Sequence, residues 1–163
     1  MDHLVARDIA CRRHEGQRDR VGDPLIDHVS RVAAAVPAGA RATAWLHDVL
    51  ERTPAGPAEL EASGLDAVER EALELLTRAA DEPFETYVLR IVHAPGAAGE
   101  LARTVKAADL RDHIQRESAG RVAADAPPYR WALRHLVAVG APAPKVVFLP
   151  PVAGGLPAPS PRV

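Results

Sequence analysis

Apolar residues in this chain recur three and four apart, in runs cut short by proline and glycine. The clearest run is Leu25, Ile26, Val29, Val32, Ala33 and Val36, opened by Pro24 and closed by Pro37 and Gly39. That spacing lines one face of an α-helix, and a proline at the helix start gives up no hydrogen bond. Strand-like alternation of useful length is absent, and so is any internal repeat. Aromatic residues make up 4% of the 163 residues and hydrophobic residues 47%. A core must therefore be assembled from Leu, Val, Ile and Ala. Ala is the strongest helix former, and the expected fold class is all-α, a helical bundle.

The same logic divides the rest of the chain. A first helix is expected over residues 3 to about 15, with Leu4, Ile9 and Ala10 as apolar points and Gly16 closing it. Residues 17–23 form a polar loop. Another helix is expected from Arg41 to Glu51, burying Ala42, Trp45, Leu46, Val49 and Leu50. After the break at 53–57 come a short helix at 58–62, one at 65–77 and one starting at Asp81-Glu82-Pro83. Pro95-Gly96 breaks the chain again, and a helix runs from Leu101 to about Glu117. The last helix, Tyr129 to Val139, follows Pro127-Pro128. Residues 1–140 read as one domain. Residues 141–163 are Pro- and Gly-rich with no amphipathic period, and a disordered tail is expected there.

Charge and cysteine usage exclude several classes. The formal net charge is −2, so there is no global basic field and no nucleic-acid partner is expected. The single cysteine, Cys11, cannot form an intramolecular disulfide and suits a reducing compartment. No apolar run approaches the roughly 20 residues that span a bilayer, so no membrane is expected. Met1-Asp2-His3 lacks the basic-then-apolar start of a signal peptide, and the cytoplasm is the expected location.

Chemistry concentrates in Trp45-Leu46-His47-Asp48-Val49-Leu50-Glu51. On a helix, His47, Asp48 and Glu51 fall within one turn. An imidazole and an adjacent carboxylate can share one divalent cation, and a second carboxylate nearby can address its water. His28 on the preceding helix and Asp109 on the later one complete a set of four candidate ligands: His28, His47, Asp48 and Asp109. Two imidazoles and two carboxylates suit Mn²⁺ or Fe²⁺; Zn²⁺ fits less specifically, and Mg²⁺ least because of the imidazoles. His113, four residues after Asp109, shares its helix face. His3, His14, His93 and His135 read as polar surface residues.

Four motifs in order carry a resemblance. They are Gly22-Asp23-Pro24-Leu25-Ile26-Asp27-His28, His47-Asp48-Val49-Leu50-Glu51-Arg52-Thr53, Leu75-Leu76-Thr77-Arg78 and Val105-Lys106-Ala107-Ala108-Asp109-Leu110. From about residue 5 to 140 the chain resembles the HD-domain phosphohydrolases. Within them it resembles the hydrolase domain of RelA/SpoT-type alarmone enzymes and the small stand-alone bacterial HD proteins. The stretch 16–24 is closer to the stand-alone proteins. The resemblance implies an HD-type helical bundle with His28, His47, Asp48 and Asp109 on the metal, usually Mn²⁺. It implies that Glu51 helps activate water, and that Arg20 and Lys106 lie near the substrate. The reaction implied is removal of pyrophosphate from the 3′ side of guanosine tetra- or pentaphosphate.

The chain departs from that pattern at named positions. Arg52 stands where the hydrolases carry an acid after the Glu. His113 replaces an Asn, Val29 follows the first His in place of Pro, and Asp19 replaces a basic residue. The expected function is a metal-dependent phosphohydrolase of a nucleotide or similar small phosphorylated compound, with Glu51 and Arg52 at the reacting centre. Arg20, Lys106 and His113 are the expected substrate contacts. The alternative is a degenerate HD module that binds metal or nucleotide and regulates a partner. No synthetase half is expected after the HD-like region.

Overall fold

The computed structural model describes residues 1–118 and 128–140, with backbone only at 117 and 118. The described residues form an all-α fold: α1 (His3–Arg13), α2 (Leu25–Ala35), a 3₁₀ turn (Ala38–Ala40), α3 (Arg41–Leu46), α4 (Val49–Arg52), α5 (Pro57–Ala62), α6 (Ala67–Leu76), α7 (Phe84–His93), α8 (Gly96–Ser118) and α9 (Tyr129–Ala138). The expected tail lies outside the described residues.

The long α8 is the organising element, packing on α2, α6, α7 and α9. α3 packs against α1, α2 and α6. Leu46, Leu60, Leu73, Ile91 and Leu110 fill the core between these helices and are fully buried. The α2 stripe behaves as its spacing predicts. Leu25, Val29, Val32 and Ala33 are buried, and His28 is buried with them. Leu4, expected as an apolar point, is instead about half exposed. At α6 the start is set by a reciprocal cap, Asp66 accepting from the Glu69 N–H and Glu69 from the Asp66 N–H.

Two boundaries differ from expectation. The helix expected over Arg41–Glu51 is interrupted, with His47-Asp48 forming a turn between α3 and α4. His47 Nδ1 donates to the Ala44 carbonyl at 2.8 Å. It thereby takes one of the carbonyls left over at the end of α3. α8 begins at Gly96 rather than Leu101, because Gly96 adopts left-handed backbone (φ 69°) that lets the chain reverse after Pro95. Among the described residues, no helix is long and apolar enough to cross a membrane.

Candidate metal centre

His28 projects from the buried face of α2 toward α8. Its Nδ1 lies 2.8 Å from Asp112 Oδ2, and its Nε2 lies 3.3 Å from Asp109 Oδ1. Asp112 is in turn gripped by Arg31, with Nε to Oδ1 at 2.6 Å and Nη2 to Oδ2 at 3.0 Å. Burial alone would lower the His28 pKa. Hydrogen bonds and charge from Asp109 and Asp112 outweigh it and push the value up to about 9. Burial raises Asp112, but His28 and Arg31 bring it down to about 2.

His47 has the same arrangement with a different partner. Its Nδ1 is spent on the Ala44 carbonyl, so the ring hydrogen sits there and Nε2 carries a lone pair. That Nε2 is buried and has no hydrogen-bond partner. It lies 3.6 Å from Asp48 Oδ1, and the ring is 5.4 Å from that of His28, centroid to centroid. One ligand atom each from His28, His47 and Asp48 fall within 4.8 Å of one another. An orphaned acceptor in a buried site costs stability unless a cation or donor meets it, so the residues present fit a bound divalent ion. Metal-ligating histidines characteristically hold their second nitrogen on a carboxylate or carbonyl, as both do here.

The fourth expected ligand joins through His28. Asp109, His113 and His28 form a second group within 4.8 Å. Asp109 Oδ1 lies 3.1 Å from His113 Nε2, and Oδ2 accepts from Lys106 Nζ at 2.7 Å. Burial would raise the Asp109 pKa, but the Lys106 and His113 charges hold it well below the usual carboxylate range. Asp48 is also lowered: burial would raise it, and the electrostatic pull of its neighbours His47 and Arg52 outweighs that. His113, expected as a substrate contact, thus stands within ligand distance. It is also stacked on Tyr129 at 4.8 Å and 15°.

A cavity opens over these groups. Arg20, Arg52, Arg78, Lys106 and Arg116 line it beside Glu51, Phe84, Tyr87 and Tyr129. Glu51 Oε2 accepts from the Arg78 backbone N–H at 3.0 Å. Arg52 Nε lies 2.9 Å from Asp48 Oδ2. Arg116 holds Asp19 at 2.9 Å and Asp23 at 2.8 Å, which fastens the loop that carries Arg20 to α8. Asp19 is therefore a structural anchor at the position where the resemblance leads one to look for a base.

Several neighbours of the cluster escape a reading of the sequence. Asp112 and Arg31 complete the His28 site, and their signal was a matched spacing: each lies three residues after a candidate ligand. Arg78 stands in the Leu75–Arg78 motif but with no role assigned, and Arg116 has no local signal. His14 is a correction. Expected at the surface, it is 1% exposed, because α1 packs on α3 and delivers its C-terminal residue inward. His14 Nδ1 pairs with Gln17 Oε1 at 3.0 Å, and Gln17 Nε2 donates to the Arg52 carbonyl at 3.1 Å. Burial lowers the His14 pKa.

Compared with models of protein families the sequence matches none, and compared with curated proteins it finds no significant relative. The assembled His and Asp side chains establish a cluster able to hold a metal ion, in a cavity lined by basic side chains.

Proposed function

We propose that this protein is a metal-dependent phosphohydrolase acting on a nucleotide or related small phosphorylated compound. A guanosine 3′-pyrophosphate ester is the first candidate, on the strength of the HD-domain resemblance. The observation that carries the reading is the buried, unpartnered His47 Nε2 beside His28 and Asp48. In this proposal His28, His47, Asp48 and Asp109 hold the ion, with Mn²⁺ the first choice for mixed imidazole and carboxylate ligands. When bound, the ion would neutralise phosphoryl charge and acidify a coordinated water.

The chain's own residues supply the rest. Asp112 and the Ala44 carbonyl fix the two imidazoles so that each Nε2 faces the other ligands. Lys106 keeps Asp109 ionised and oriented. Glu51, exposed at the cavity and held at Oε2 by the Arg78 N–H, takes the proton of the attacking water at Oε1. Arg20 and Arg78 meet the substrate's phosphates, where guanidinium offers two-armed hydrogen bonding. With its exposed Cys11 the protein suits the reducing cytoplasm.

The test is pyrophosphate or phosphate release from guanosine tetraphosphate and a panel of nucleotides, with Mn²⁺ present. Wild type should release product and Asp48→Ala should not. The second reading, a regulatory binding module, is favoured by Arg52 resting on Asp48. Metal binding without turnover of any nucleotide would select it.

A further inference from the structure

We propose that Arg52 couples metal binding to anion binding: in the free protein its guanidinium sits on Asp48, and a phosphate-bearing ligand that draws it away completes the metal site. This rests on the metal-centre reading above and adds a regulation to it. Arg52 Nε lies 2.9 Å from Asp48 Oδ2, while Asp48 Oδ1 is the oxygen nearest His47 Nε2 at 3.6 Å. A cation there reduces the negative charge that Asp48 offers a metal, and it repels an arriving dication.

The other cations on this cluster are built to stay. Arg31 grips Asp112 with two hydrogen bonds, and Lys106 is enclosed, with 14% of its side chain exposed. Arg52 has no such fork, and 42% of its side chain is exposed. Its backbone, by contrast, is held at both ends. The N–H donates to the Asp48 carbonyl at 3.0 Å, and the carbonyl accepts from Gln17 at 3.1 Å. The side chain can therefore swing without disturbing α4. It swings within a cavity that also presents Arg20 and Arg78, where a tetrahedral oxyanion gathers guanidinium donors. Linkage then requires that the anion tighten the metal by the same factor that the metal tightens the anion.

The experiment measures Mn²⁺ affinity of the metal-stripped full chain by the electron paramagnetic resonance of free Mn²⁺. Sulfate serves as the probe anion, with ionic strength held constant by chloride. In wild type, saturating sulfate should tighten Mn²⁺ about tenfold, an ordinary size for coupling between sites. Arg52→Gln should bind Mn²⁺ about tenfold tighter than wild type without sulfate, and should lose the sulfate response. A variant that binds no tighter, or that keeps the response, overturns the proposal. Should Arg52→Gln fail to fold, Arg52→Lys must show a diminished sulfate response, and a full one overturns it equally. Asp48→Ala separates the two levels. If it binds Mn²⁺ as wild type does, the metal centre itself is wrong. If it loses Mn²⁺ while Arg52→Gln matches wild type, only the coupling is wrong.

Discussion

Each imidazole at the centre of this site has one nitrogen committed to the protein and one turned to the cluster. For His28 the committed partner is Asp112, itself fastened by Arg31. The carboxylate makes the imidazole a better donor, so Asp112→Asn should weaken Mn²⁺ binding about tenfold, toward the lower end of what supporting residues contribute. A Mn²⁺ titration checks this, with circular dichroism to confirm folding. Glu51 plays a different part. It lines the cavity and is tied to the Arg78 backbone rather than to the His and Asp cluster. Glu51→Gln should keep bound Mn²⁺ and lower turnover roughly 100-fold or more, the ordinary scale for removing a general base. Loss of the metal in that variant would make Glu51 a ligand.

At the scale of elements, the site depends on where helices stop and start. α3 ends at Leu46, and the His47-Asp48 turn carries the adjacent pair between two helices. The other decisive boundary is the start of α8. A Cβ added at Gly99 would sit 2.1 Å from the Ala94 carbonyl oxygen, a rigid backbone atom. Gly99→Ala must push α8 away from the end of α7, and should cost about 1–3 kcal/mol by analogy with overpacked cores. A Cβ at Gly39 meets nothing within 4 Å, so Gly39→Ala should stay within about 0.5 kcal/mol of wild type. Urea unfolding of both variants makes the comparison.

For the whole molecule, the candidate ligands come from α2, the α3–α4 turn and α8, elements far apart in sequence. An ion bound by all three stabilises the folded state alone. Mn²⁺ at 100 times its dissociation constant should add about 2.7 kcal/mol, which raises Tm by about 5–10 °C for a domain of this size. Thermal denaturation should show that rise in wild type, its loss with a chelator, and its absence in Asp48→Ala. No rise in wild type at saturating Mn²⁺ would remove the ion from the site.

What the sequence determined by itself is what periodicity and local chemistry encode. The all-α class, the course of α2 and α7, and the inward face of His28 follow from apolar spacing and proline placement. The candidate residues His28, His47, Asp48 and Asp109 were legible because ligand-type side chains stood among apolar neighbours. Only the tertiary structure decided which elements meet. Asp112 serves His28 because α8 lies along α2, and His14 is buried because α1 lies on α3. Arg78 and Arg116 reach the cavity for the same reason. At the break, a His47 ring nitrogen takes the Ala44 carbonyl left over at the end of α3. Spacing along the chain says which face of a helix turns inward. The partner met there depends on the angle and register of packing, which no local pattern carries.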